Sequence, residues 1–211
     1  MQLILIFKVS CIFYNHINYD CVRREKADNM EKWKQLDREY IIDNRWVKLA
    51  KDKVQLPNGT CLDDFYVFEK KSVSLIVAVD EENKVLIKSE YRYPVDEVLY
   101  ELPGGVIEDG DSALDAAKRE LLEETGYSSD DWTKLLSGYD YPTKDTNVVN
   151  IFLARNIKKT GEQNLEATED IEIKFVPLKE AVDMCMSNKI KVNGTIAGLM
   201  LAEKIIQIKE K

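Results

Sequence analysis

The chain has 211 residues, 45% of them hydrophobic, with 38 acidic against 30 basic side chains and a formal net charge of −8. That length suits one large domain, or one domain with a small companion. The acidic balance argues against a nucleic acid partner, which a basic face would meet.

Residues 1–29 do not match the rest. The apolar run from Leu3 to Phe7 is interrupted by Lys8, and the whole apolar stretch ends near Tyr14. It is too short to span a bilayer and lacks a clear signal-peptide pattern. Met30 is followed at once by globular sequence, so it is the expected start. Residues 1–29 then read as a doubtful leader or an upstream extension, with an anchoring segment as the alternative. The only histidine, His16, lies there, which leaves a Ser-His-Asp triad or a histidine-rich zinc site without a core histidine. Cys11, Cys21, Cys61 and Cys185 are far apart and form no C-x-x-C, the usage of reduced thiols in a cytoplasmic protein. No other stretch is long and apolar enough to cross a membrane, and no membrane partner is expected.

Residues 45–56 alternate partly between apolar and polar, Pro57-Asn58-Gly59 marks a turn, and strand formers resume over 61–69. Asn-Gly between two such runs predicts a hairpin. A second strand pair is predicted at 72–80 and 85–92 around Glu81-Glu82-Asn83, then a short strand from Val98 to Leu102 running into Pro103-Gly104-Gly105. A helix is predicted over 112–125, capped by Ser112 with Asp115 three residues on and ended by Gly126. Strands at 133–141 and 147–154 flank a loop containing Pro142. A polar stretch from Lys158 to Asp170 precedes a strand at 171–176, and helices follow near 178–188 and 194–208. Strands, helix, strands, helices is the order of a mixed α/β (α+β) layered domain rather than a regular βαβ alternation.

The chemistry sits in residues 105–127. A glycine-rich loop feeds a helix on which Glu120, Glu123 and Glu124 project from one side, since a helix repeats every 3.6 residues. Like charges at such spacing repel unless a cation lies between them. A hard divalent ion such as Mg²⁺ takes carboxylate oxygens and shares its shell with substrate phosphates. The competing reading is a solvent-facing helix with a charged stripe, in which Arg119 and Glu123 are an ordinary i,i+4 pair.

The segment resembles the Nudix box, G-x5-E-x7-R-E-U-x-E-E-x-G-U, with U a bulky apolar residue. Gly105, Arg119, Glu120, Leu121, Glu123, Glu124, Gly126 and Tyr127 fall in register, and Asp111 stands where the family has Glu. Asp is one methylene shorter, so its support of the loop and helix is expected to be looser. Tyr91-Arg92-Tyr93-Pro94, Glu101-Leu102-Pro103-Gly104-Gly105 and Pro142, 15 residues beyond the box, resemble the ADP-ribose and ADP-sugar pyrophosphatase branch. The resemblance implies a Nudix fold, a mixed sheet sandwiched between helices, with a small N-terminal antiparallel β-domain over 30–70 that builds homodimers and a hydrolase domain over 71–211.

It also implies a site. Arg92, Glu101, Gly105 and Arg119 are substrate-binding candidates, with Arg92 on the diphosphate because guanidinium offers fork-like donors. Trp46 is a candidate to stack on adenine, with Phe65 or Tyr66 as a second ring. Glu120, Glu123, Glu124 and the Gly104 carbonyl are candidates to hold Mg²⁺, or Mn²⁺ in its place. The residue that activates water is Glu169 or Glu166 on a later loop, or else Glu123 or Glu124. The implied reaction is hydrolysis of the diphosphate of ADP-ribose or a related nucleoside diphosphate sugar to AMP and a sugar phosphate. The alternatives are GDP-mannose, NADH or an oxidised dNTP as substrate, or a non-catalytic regulator that kept the fold.

Overall fold

The computed structural model describes residues 30–209; the readings of residues 1–29, His16, Cys11 and Cys21 lie outside the described residues. The described residues divide into two compact units, residues 30–38 with 52–65 and residues 39–51 with 66–209.

β1 (Lys34–Asp43), β2 (Lys48–Gln55) and β3 (Cys61–Glu69) follow one another in a three-stranded sheet. Their short turns make it antiparallel. Gly59 closes the β2–β3 turn at φ 85°, a conformation that suits glycine. In the first unit, Arg38 Nε and Nη2 grip the two carboxylate oxygens of the buried Asp52 at 2.7 Å each, and Trp33 meets Phe65 edge-on at 5.5 Å. β1 is not legible in the sequence. Nine of its ten residues are exposed, so no core selects an alternation of apolar and polar positions. β2 begins at Lys48, not at residue 45, because Asn44 Oδ1 accepts from the N–H groups of Trp46 and Val47 at 2.9 Å each and bends the chain there.

The second unit is organised by β4 (Val73–Ala78), β5 (Lys84–Arg92), β6 (Glu97–Glu101), β7 (Gly104–Val106), α1 (Ala113–Thr125), β8 (Tyr127–Ser128), β9 (Asp131–Gly138), β10 (Val149–Arg155), β11 (Lys158–Lys159), β12 (Ile171–Pro177), α2 (Leu178–Met186) and α3 (Asn193–Lys209). One sheet runs β7-β4-β10-β9 and another β12-β5-β6, with β8 and β11 as a small pair. β4 and β10 are parallel and the other larger pairings antiparallel. β9 stops at Gly138, shorter than expected, and β7 is a strand that the Pro-Gly-Gly run concealed.

Strand periodicity explains the sandwich. Successive side chains point to opposite faces. Val77, Val85, Ile87, Ile151 and Leu153 therefore share one core with Leu178, Met184 and Leu199 of α2 and α3. Their neighbours Ile76, Ala78, Leu86, Phe152 and Ala154 share another with Ala117 and Leu121 of α1. Both faces are covered, which is why these strands read as continuous apolar runs.

The segment between β3 and β4 is spliced between two loops. On one side Phe68 N–H donates to the Lys144 carbonyl at 2.8 Å, Thr146 N–H to the Phe68 carbonyl at 3.1 Å, and Val148 N–H to Ser72 Oγ at 3.2 Å. On the other, Ile107 N–H donates to the Ser72 carbonyl at 2.9 Å, and Lys71 Nζ pairs with Glu108 at 2.7 Å. Lys70 Nζ meets Asp145 Oδ2 at 2.7 Å. The Asp145 side chain is only 2% exposed, and its Oδ1 has no hydrogen-bond partner. Lys70→Met should therefore destabilise the protein by about 1–3 kcal/mol, because it strands a buried carboxylate. Urea unfolding measures this, and unchanged stability would show that Asp145 takes no support from Lys70.

Candidate active site

α1 is framed as its sequence suggests. Asp115 N–H donates to Ser112 Oγ at 3.1 Å, and Gly126 ends the helix at φ 75° with its N–H on the Leu122 carbonyl. The face that packs on the sheet through Ala117 and Leu121 continues one turn on to Glu120 and Glu124, so packing half-buries the first and buries the second.

β5 supplies the opposing charges. Lys88, Glu90 and Arg92 follow Leu86 at every second position and lie on its face of the strand. Lys88, 2% exposed, bonds Glu124 Oε1 and stands 3.2 Å from Glu90 Oε2. Arg92 Nη1 donates to Glu90 Oε1 at 2.9 Å, and Arg92 Nη2 to Glu101 Oε2 at 2.6 Å. Glu101 lies opposite Lys88 in the β5–β6 register. The result is an alternating series, Glu124, Lys88, Glu90, Arg92, Glu101.

β7 closes the other side. Gly104 N–H donates to Glu124 Oε2 at 2.7 Å. Gly104 has φ 148°, and a Cβ there would lie 2.1 Å from the Ser74 carbonyl oxygen. A Cβ on Gly105 would lie 2.6 Å from the Glu120 carboxyl carbon. Gly104 is there because its backbone lies against that of β4, and Gly105 because its backbone meets the Glu120 carboxylate directly.

Arg119 holds the outer acids, with Nη1 2.8 Å from Glu120 and 3.0 Å from Glu123, while Nη2 donates to the Val106 carbonyl at 3.1 Å. Its Nε stands 3.7 Å from Asp111, an ion pair without a hydrogen bond. The loop bearing Glu166 and Glu169 is stitched to the end of α1: Gln163 Nε2 donates to the Glu124 carbonyl and Asn164 N–H to the Glu123 carbonyl, each at 2.8 Å. Glu169 Oε2 accepts from Glu166 N–H at 2.8 Å.

Burial sets the proton affinities. It pushes Glu124 up to about 7, against the pull of Lys88 and the Gly104 N–H. Burial also raises Glu120, with Arg119 opposing and the charges of Glu123 and Glu169 adding to the rise. For Arg92, burial works against the charge, and Glu101 and Glu90 more than offset it.

The structure thus brings together Arg92, Glu101, Gly104, Gly105, Arg119, Glu120, Glu123 and Glu124, whereas Glu169 bonds Glu166 N–H on its own loop. Trp46 stands outside this cluster. It is 78% exposed, with the Arg45 guanidinium 4.3 Å over its ring. Phe65 packs on Trp33, and Tyr66 is exposed. Lys88 and Glu90 were missed in the sequence, although a lysine directly after Val85-Leu86-Ile87, on the period of Arg92, was a visible signal.

Among the described residues, no three His, Cys, Asp or Glu side chains converge as a ready-made cation cage. The donors nonetheless fit a hard divalent ion. They are carboxylate oxygens on one helix face, beside glycine backbone that leaves no room for a Cβ, and Glu90 Oε2 accepts no hydrogen bond.

Comparison with known proteins bears on this arrangement. A model of the NUDIX domain matches residues 69–193, and one of the nucleoside diphosphate sugar hydrolase N-terminal domain matches residues 33–68. The chain is 30% identical over 158 residues to an ADP-ribose pyrophosphatase of Bacillus subtilis, covering 74% of this chain and 85% of that one. It is 29% identical over 178 residues to a methanol dehydrogenase activator of Bacillus methanolicus, covering 84% and 94%. It is 30% identical over 179 residues to a GDP-mannose pyrophosphatase of Yersinia enterocolitica, covering 79% and 93%. The crystal structure of an ADP compounds hydrolase shares the fold, with a TM-score of 0.75, 20% identity and coverage of 85% and 97%. The chain belongs to the NUDIX family.

Folded Glu124, at about 7, lies above its ordinary 4.5. The folded protein, kept metal-free with a chelator, therefore holds a proton that the unfolded chain has released. That contribution is complete below about pH 4.5 and is lost as the pH rises through 7. Relative to wild type, Glu124→Gln should gain on the order of 3 kcal/mol between pH 5 and pH 8. Urea unfolding across that range checks it, and a constant difference would refute it. Gly104→Ala should cost on the order of 2–4 kcal/mol, through strain and a clash with fixed backbone. An unchanged melting temperature would count against that close approach.

Proposed function

We propose, from that family membership, that this pyrophosphohydrolase cleaves the diphosphate of ADP-ribose or a related nucleoside diphosphate sugar, giving AMP and a sugar phosphate. The observation that carries the reading is the meeting of Glu120, Glu124 and the Gly104–Gly105 backbone beside a guanidinium already aimed by two acids. Glu120, Glu123, Glu124 and the Gly104 carbonyl would hold Mg²⁺, or Mn²⁺ in its place. When bound, such ions neutralise the diphosphate and make water more acidic.

The chain's own residues do the rest. Three of the five N–H bonds of Arg92 are taken by Glu90 and Glu101, which leaves two for the substrate diphosphate. The pairing fixes the guanidinium before substrate arrives, so orientation is set in advance. Arg119, half-exposed, exchanges its carboxylates for substrate oxygens. Glu169 is our choice of general base, because its charge already reaches Glu120; Glu166 is exposed and holds the Glu169 carboxylate through its N–H.

A second substrate, GDP-mannose, is favoured by the 30% identity to a pyrophosphatase of that name. Residues 30–70 would form a dimerisation domain and 71–211 the hydrolase domain. Exposed Trp33, Leu36, Ile41 and Ile42 support a homodimer, in which Trp46 would stack on adenine. Free Cys61 and Cys185 agree with a cytoplasmic setting. No described helix is long and apolar enough to cross a membrane.

The test is product analysis on ADP-ribose, other ADP-sugars, GDP-mannose, NADH and 8-oxo-dGTP with Mg²⁺ or Mn²⁺. AMP should appear from ADP-ribose, and Glu120→Gln, Glu124→Gln and Glu169→Gln should each lower kcat by about 10²-fold or more. Cleavage of another compound would move the substrate and keep the site. Cleavage of none would sink the reading.

A further inference from the structure

Lys88 carries an inference beyond that reading. It is among the largest fully buried side chains of the described protein. A lysine ammonium is costly to desolvate, so one is found buried only where acids hold it. Here its partners are Glu124 and Glu90. The remaining Glu124 oxygen accepts from Gly104 N–H at 2.7 Å. Both oxygens of this box glutamate are therefore engaged by the protein itself.

Lys88 and Arg119 differ as counter-ions. Arg119 covers Glu120 and Glu123 from the surface, with 35% of its side chain exposed. A long, exposed side chain can move into water and free its carboxylates. Lys88 springs from β5, the middle strand of β12-β5-β6, and its side chain is 2% exposed. It has no solvent to retreat into. With every carboxylate ionised, Glu90, Glu101, Glu120, Glu123 and Glu124 carry five negative charges, and Lys88, Arg92 and Arg119 three positive ones. The cluster is left at −2, and without Lys88 it would stand at −3.

We propose that Lys88 is a permanent, built-in cation of this site: its ammonium fills the inner side of Glu124 and reduces by one the divalent ions the substrate-free protein holds. The ions then enter on the side of Glu120 and Glu123, where Arg119 yields. The inference rests on the reading that these glutamates bind divalent cations.

The test is Mn²⁺ binding to the full chain without nucleotide, followed by electron paramagnetic resonance and calorimetry. Lys88→Met removes the ammonium. Lys88→Met with Glu90→Gln removes it and keeps the cluster at −2, so net charge alone cannot explain a change. Both variants should bind one more Mn²⁺ per chain than wild type, and Mn²⁺ should raise their melting temperatures by more than it raises that of wild type. Wild-type binding with no change on substitution overturns the role of Lys88 and leaves the metal reading standing. No Mn²⁺ on any of the three proteins overturns both. Failure of both variants to fold even in millimolar Mn²⁺ also overturns the inference, because an ion able to stand where the ammonium stood would restore the balance of charge.

Discussion

Everything at the site depends on how α1 lies on the sheet. Its packing face is apolar through Ala117 and Leu121, and each is followed three residues on by an acid, Glu120 and Glu124. β5 mirrors it: Leu86 belongs to the same apolar cluster, and Lys88, two residues on, meets Glu124. One contact between helix and strand is thus hydrophobic at one end and ionic at the other. The apolar end fixes the position, and the ionic end inherits a placement that it did not have to generate. Carboxylates set this way lose little freedom on meeting a ligand, which is what preorganisation requires.

The ionic end survives burial because charges of opposite sign alternate across it. Each acid in the series from Glu124 to Glu101 touches a base, and each base touches two acids. Removing Lys88 leaves Glu124 without a base and removing Arg92 leaves Glu101 without one, whereas the intact series costs far less. The glycines contribute from the opposite side. Without a Cβ, Gly105 lets backbone reach the Glu120 carboxylate and Gly104 lies close on β4, where its N–H adds a charge-assisted hydrogen bond to Glu124. Arg92 and Arg119 are the bases of the cluster that water reaches, whereas Lys88 is sealed beneath them.

Much of this was legible in the sequence, and the parts that were not have a physical reason. The α1 helix, its Ser112 cap and its Gly126 stop follow from local rules, and the structure has all three. The buried strands read clearly because both their faces are covered. β1 was invisible because almost none of it is buried, and β7 because three residues of Gly-Gly-Val have no periodicity to read. At the site, the box glutamates announce themselves by spacing, and Arg92 by the family resemblance of Tyr91-Arg92-Tyr93-Pro94. Lys88 and Glu90 do not, since a charge inside a strand pattern is read as an exposed position. Only the register against Glu101 and the approach of α1 show that the row turns inward.

The spliced segment 68–72 extends the same logic beyond the carboxylates. Its backbone and side chains bind the loop that begins the Nudix box through Ile107 and Glu108, and the loop that enters β10 through Lys144, Asp145 and Val148. Both loops leave the same end of β4, because Val73 pairs with Val106 on one side and Val149 on the other. A movement of the segment would therefore be felt by both loops at once. Lys70 and Lys71 differ in how firmly they tie it. The Lys71–Glu108 pair is exposed at both ends and weakly held, while Lys70 answers a carboxylate that water does not reach. The firm ion pair thus lies on the β10 side, and the box loop is held chiefly by the Ile107 N–H on the Ser72 carbonyl.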